Sequence, residues 1–266
     1  MEMQEFKFQD IYSLASLIDQ SVDYEEDFWN FDIEYFLNAS TNFSKDTLLH
    51  QYIVTRALNH YSRYFRKNVD SVEEEIDQWI PLFEAYEVTS EPFNFIDDED
   101  PHEWFMEKEE IFYTLFDRMA DEVFYILFAN RNFLVKFNLL VAKTVQQFIN
   151  KTYPFEHHVD PNAQYPKDKL TNKGRIKRKS IPSWVKNAVF HRDKGRCVYC
   201  NTDLTGIINH LTAKNFDHIV PLDIFGTNDP CNIQLTCETC NKSKSNKSNR
   251  FASTSCKYQP WWPIDK

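Results

Sequence analysis

Cys197-Val198-Tyr199-Cys200 and Cys237-Glu238-Thr239-Cys240 enclose 36 residues, among them Phe216-Asp217-His218-Ile219-Val220-Pro221 and Asn232-Ile233-Gln234-Leu235-Thr236. A two-residue gap lets both sulfurs of a knuckle reach one ion, so two knuckles can close a tetrahedral four-thiolate Zn²⁺ site. The bland alternative is two pairs of reduced, buried cysteines. The interval exceeds the roughly 15–20 residues of a simple zinc ribbon, so structure is needed between the knuckles. The two apolar runs read as short strands. From Glu238 the chain reads as a helix through about Arg250, with Asn241 and Lys244 three apart on one face. The order is strand, loop, strand, helix, with cysteines holding the ends. A closed four-cysteine site leaves no open coordination position, so this zinc is expected to be structural. A core this small needs such a staple, and in zinc-finger peptides the metal contributes about 10–16 kcal/mol. Cys231 and Cys256 lie outside the knuckles and read as ordinary thiols.

Outward from this module the composition changes. The 266 residues carry 30 Lys+Arg and 40 Asp+Glu, a formal net charge of −10. Residues 1–165 hold 12 basic and 32 acidic residues, and residues 166–266 hold 18 and 8. The whole-chain charge argues against a polyanionic ligand, whereas the charge of the C-terminal part favours one. All four glycines and all six cysteines follow residue 173, and 19 of the 23 Phe precede residue 165. Two domains are therefore expected. No apolar run is long enough to span a bilayer, and the acidic start MEMQEFKFQD is no secretory signal. A cytoplasmic protein with reduced or metal-bound cysteines is the expectation.

The N-terminal part predicts helices, since apolar residues recur at helical spacing. Ile11, Leu14, Ala15 and Ile18 form one such series, and Leu49, Tyr52, Ile53, Ala57 and Tyr61 a second. Ile111, Phe112, Leu115, Phe116, Met119 and Val123 form a third, and Phe133, Phe137, Leu140, Val141, Val145 and Phe148 a fourth. Ser71-Val72-Glu73-Glu74 predicts a capping box, with Pro81 kinking or ending the helix it opens. Asp97–Asp100 before Pro101 predicts a loop leading into a helix. The aromatic stripes are expected to pack helix on helix, and the acidic faces to be solvated or to meet a protein partner. Residues 151–182, with Pro154, Pro161, Pro166, Pro182 and the basic run Lys167–Lys179, read as a connector. His157 and His158 on it are a weak metal-ligand signal.

The stretch Trp184–Arg250 resembles the HNH endonuclease family, whose core is the ββα-metal fold. The resemblance rests on Val189-Phe190-His191-Arg192-Asp193 with Gly195 before the first knuckle, on Asp217-His218-Ile219-Val220-Pro221, on Asn232, and on Cys237-x2-Cys240-Asn241 followed by Lys244. It implies that His218 is the general base and that Asp217 ligates a catalytic divalent ion, usually Mg²⁺. It implies that Asn232 orients the base and its loop, and that Asn241 is the second ligand. Asn241 departs from the named pattern, which has His there. A neutral amide oxygen favours a hard ion such as Mg²⁺ or Mn²⁺. His191 and His210 are expected to be structural.

The chemistry asks for these residue types independently. Phosphodiester hydrolysis needs an activated water, a Lewis acid on the phosphate oxygens and stabilisation of the leaving 3′ oxygen. A neutral histidine, with an ordinary pKa near ~6.5, accepts the proton of the water. Arg192, Lys244, Lys177, Arg178 and Lys179 are candidate phosphate contacts.

The expected fold class is α+β. Residues 1–150 form an acidic all-α domain, 151–182 a basic linker, and 183–266 a zinc-stapled nuclease domain of the ββα-metal kind. The expected function is metal-dependent DNA cleavage, with structural Zn²⁺ and catalytic Mg²⁺ or Mn²⁺. RNA is an open alternative substrate, and a regulatory protein partner would meet the acidic domain. A non-cleaving, zinc-dependent nucleic-acid-binding module is the rival. One site per chain suggests a nick unless two chains cooperate. By family analogy alone, such fusions resemble toxin and antiphage-defence effectors.

Overall fold

A computed structural model describes residues 6–7, 9–23, 33–88, 100–152, 164–206 and 213–244. His157, His158, His210, Cys256, residues 97–99 and any helix beyond Lys244 lie outside the described residues. The element order is α1 (Ile11–Asp23), α2 (Ile33–Thr41), α3 (Leu48–Asn68), α4 (Val72–Ala85), α5 (Pro101–Glu107), α6 (Glu109–Ala129), α7 (Arg131–Asn150), α8 (Ser183–Arg192), β1 (Phe216–His218), β2 (Ile233–Leu235) and α9 (Glu238–Lys244). The described chain is mostly helical before residue 150 and has a small two-stranded sheet after it, an α+β arrangement. Among the described residues no helix is long and apolar enough to cross a membrane.

The four apolar series fall on α1, α3, α6 and α7, and most of their members are buried. An aromatic cluster fills the space between α3, α4, α5 and α6. Phe112 is 4.6 Å from Phe105 and 5.0 Å from Trp79, and Phe65 is 5.1 Å from Phe105. Tilted, edge-to-face and stacked rings at such separations add to the burial of apolar area.

Helix ends differ from the sequence expectation. Ser71 precedes α4 but makes no side-chain cap. The capping box is at α3, where Thr47 Oγ1 accepts from Leu49 N at 3.2 Å and His50 Nδ1 accepts from Thr47 N at 3.1 Å. A histidine thus does the work usually given to Glu or Gln, which the S/T-x-x-E/Q pattern overlooks. Pro81 does not end α4, which continues to Ala85. Asp77, whose carbonyl would face the missing N–H of Pro81, is an exposed residue. Asp100 caps α5 as expected, accepting from His102 N at 2.9 Å and Glu103 N at 3.0 Å.

The chain divides into two compact units, one within 1–39, 44–127 and 154–163, the other within 40–43, 128–153 and 164–266. This division differs from a break at 150. The fourth apolar series, α7, belongs to the second unit. Asn138 on α7 donates to Cys231 O at 2.9 Å, and Arg131 pairs with Asp193 at 2.8 Å. The described part of the connector also belongs there. Tyr165 and Ile176 are buried, Leu170 and Ile176 form an antiparallel bridge, and Tyr165 Oη meets Ser40 Oγ at 2.9 Å. Residues 164–182 are therefore anchored to the second unit through Tyr165 and Ile176, while most of the other residues in the stretch are exposed.

Candidate active site and metal centre

β1 and β2 pair antiparallel, with Phe216 opposite Leu235, Asp217 opposite Gln234 and His218 opposite Ile233. Leu235 N donates to the Asp193 carboxylate at 2.8 Å, which ties β2 to the end of α8. Asp193 also accepts from Arg131 and from Arg192 Nε and Nη2, at 2.8, 2.9 and 3.0 Å. A buried carboxylate with four donors holds α7, α8 and β2 together, and buried charge is tolerable only when satisfied in this way.

The sulfurs of Cys197, Cys200, Cys237 and Cys240 all lie within 4.8 Å of one another. Tetrahedral Zn²⁺ with sulfurs at about 2.3 Å needs sulfur separations near ~3.8 Å, so the cluster is compatible with a zinc site. Burial raises the Cys200 thiol, but hydrogen bonds with Thr202, and with Cys197 and Cys240, outweigh it and bring it down to about 6. Burial and neighbouring sulfurs push Cys240 up. Four thiolates so close repel one another, and a dication removes that penalty.

The loop from Ile219 to Asn232 is closed by Asn232. Its Oδ1 accepts from Val220 N at 2.8 Å, and its Nδ2 donates to Val220 O and Thr227 O, both at 3.0 Å. Ile219 N donates to Asn232 O at 2.6 Å. Gly226 N donates to Pro221 O, and a Cβ at Gly226 would lie 1.9 Å from Val220 O. No other residue fits that turn. Arg175 stacks on Phe225 at 3.7 Å and donates through Nε to Asp223 O at 2.8 Å.

His218 leaves β1 with its side chain 1% exposed. Neither ring nitrogen has a well-formed hydrogen bond among the described residues. Burial, then the charge of Arg178, with a smaller contribution from Lys244, lowers its pKa to about 3; the Asn228 amide beside the ring opposes this. The imidazole is neutral at physiological pH, the form that accepts a proton.

Asp217 Oδ2 accepts from Lys244 Nζ at 2.6 Å and from Gln234 Nε2 at 3.0 Å. Asn241 sits on α9 one turn before Lys244 and donates through Nδ2 to Lys214 O at 2.7 Å. Its amide nitrogen is thereby tied, and Oδ1 is the atom left for a metal. Among the described residues no hydrogen bond joins Asn241 to Asp217.

The basic candidates separate. Lys244 is 1% exposed, and its ammonium also donates to the carbonyls of His218 and Ile219. Burial pushes its pKa down, against the pull of Asp217. Arg192 is held by Asp193 and by Ile233 O, with its guanidinium over Phe128 at 4.8 Å. Burial removes both from the phosphate-contact role expected of them. Lys177 Nζ donates to Asp168 O at 2.9 Å, and Lys179 Nζ donates to Asn42. Arg178 is exposed, and its charge reaches both His218 and Lys244. Asn228 anchors this triplet, donating to Lys177 O at 2.8 Å and to Thr41 O at 3.2 Å.

Gln234 and Asn228 carry no motif signal. Gln234 is placed by strand register and Asn228 by the fold of residues 40–43 and 177–179. His191 is exposed, in edge contact with Phe190, and Cys231 is buried.

Neither the curated proteins nor the solved structures gave a match to the chain. A family model does match the cysteine knuckles and all that lies between them. Residues 197–247 match the family model described as HNH endonuclease.

Proposed function

We propose that the second unit is a metal-dependent HNH endonuclease that hydrolyses phosphodiester bonds of DNA. The observation that carries this reading is that Asp217 and His218 stand on β1 and Asn232 closes the loop that follows it, between the two knuckles of the four-cysteine cluster. Asp217 and Asn241 would hold Mg²⁺ or Mn²⁺, which supplies Lewis acidity to the phosphate oxygens. A ring nitrogen of His218 takes the proton of the attacking water. Water oxygen bonds to phosphorus as the bond to O3′ breaks. Asn232 keeps the loop that carries His218 in place. Arg178 is the basic residue positioned to meet a phosphate near His218. Because the His218 ring is buried, cleavage requires its cover to open as nucleic acid docks. Zn²⁺ on the cysteines is structural in this scheme. An effector setting of the toxin or antiphage-defence kind is a reading by family analogy alone.

The test is cleavage of supercoiled plasmid by the full chain in Mg²⁺ or Mn²⁺, compared with His218→Ala. Loss of cleavage with zinc content retained is expected. Undiminished cleavage by His218→Ala refutes the assigned base. Nucleic-acid binding that survives EDTA, with no strand breaks in either ion, favours the non-cleaving rival.

A further inference from the structure

We propose that Gln234 is a positioning residue for the catalytic metal, fixing the orientation in which the Asp217 carboxylate faces the ion; the proposal rests on the nuclease reading above. The register places Gln234 directly opposite Asp217, so their side chains share a face of the two-stranded sheet. Gln234 is 2% exposed. Its Nε2 has two hydrogens and two acceptors, Asp217 Oδ2 at 3.0 Å and Tyr199 Oη at 3.0 Å. A carboxylate accepts only, so it dictates that the NH₂ end of the amide faces it.

Lys244 strengthens the same constraint. Its three ammonium hydrogens meet three acceptors, Asp217 Oδ2 and the carbonyls of His218 and Ile219. Both buried donors converge on Oδ2, and among the described residues none reaches Oδ1. The carboxylate cannot turn without losing two satisfied buried hydrogen bonds. It therefore presents Oδ1 as a single, fixed ligand atom. Groups that hydrogen-bond to a metal ligand set its orientation and commonly matter about 10–100-fold in affinity.

The assignment points to Gln234 rather than Lys244 as the residue to vary. Removing the Lys244 charge changes the field on a cation as well as the geometry, whereas Gln234 is neutral. Gln234→Met keeps length and volume and removes the donor. Tyr199→Phe disturbs the same amide from the side away from Asp217.

The experiment uses the zinc-loaded full chain. Mn²⁺ binding is followed by electron paramagnetic resonance, and cleavage is measured as a function of Mn²⁺ concentration. Zinc content and thermal melting check the fold. Mn²⁺ binding weaker by about 10–100-fold is expected in Gln234→Met. The half-saturating Mn²⁺ concentration for cleavage should rise in step, by more than turnover at saturation falls. Tyr199→Phe should give a smaller shift, and the double variant should be no worse than Gln234→Met alone. Unchanged Mn²⁺ binding in both variants, while Asp217→Asn abolishes the site, overturns the positioning role and leaves the nuclease reading standing. Tighter binding in Gln234→Met overturns it too, because the amide would then be a competitor of the ion. A wild-type chain with no Asp217-dependent Mn²⁺ site overturns the nuclease reading and this proposal with it.

Discussion

Asp193 receives four donors at 2.8–3.0 Å from α7, α8 and β2, with its side chain 2% exposed. Asp193→Ala removes the acceptor they share and leaves buried cationic charge behind, at a cost of about 3–5 kcal/mol. Chemical denaturation of the second unit measures this; a loss no larger than that of an exposed substitution would contradict it. Asn232 makes a sharper contrast. Asn232→Ala deletes three hydrogen bonds, whereas Asn232→Asp keeps the acceptor for Val220 N but turns a carboxylate oxygen toward two carbonyls, Val220 O and Thr227 O. The Asp variant should melt below the Ala variant at neutral pH, since opposed acceptors are worse than absent donors. Asn232 was legible in the sequence as part of a motif. The burial of Arg192 and Lys244 was not, because a basic residue looks the same in sequence whether its partner is phosphate or a buried carboxylate.

At the scale of elements, caps and turns can be compared in pairs. Asp100→Ala removes an acceptor for two amides of α5 and should cost about 1 kcal/mol. Ser71→Ala removes a side chain that caps nothing and should stay within about 0.5 kcal/mol. Equal losses in urea melts would show that the observed caps do not matter. Gly226→Ala places a methyl into the backbone of Val220 and Pro221, and the turn has no flexible side chain to move aside. It should destabilise the β1–β2 loop by about 1–3 kcal/mol. Hydrogen exchange at the amide of Val220 reads this directly. The helices themselves were readable from apolar spacing. The cap at α3 was not, because a histidine replaced the expected acid.

At the scale of the whole molecule, the two units should respond differently to metal removal. A strong zinc chelator should expose the amides of β2 and α8 to exchange while those of α3 and α6 stay protected. Equal protection throughout would exclude a zinc-dependent second unit. The unit boundary makes a related prediction. A fragment of residues 166–266 lacks Arg131 and Asn138, which hold Asp193 and Cys231 O. It should melt less cooperatively than a fragment of residues 128–266, which keeps α7 and lacks only residues 40–43 of the unit. A 166–266 fragment that melts like the second unit of the full chain would refute the assignment of α7 to that unit.

The sequence by itself determined the helix series, the two knuckles, the order strand–loop–strand–helix, and the residue types that hydrolysis requires. These are local patterns: periodicity follows from backbone geometry and knuckle spacing from the reach of two sulfurs. Tertiary structure alone decided that α7 and residues 164–182 belong with the four-cysteine module. It alone decided that Gln234 faces Asp217, and that Lys244 serves that carboxylate rather than a nucleic-acid phosphate. Each of these depends on which distant groups become neighbours, through strand register and burial, and a linear pattern does not record that.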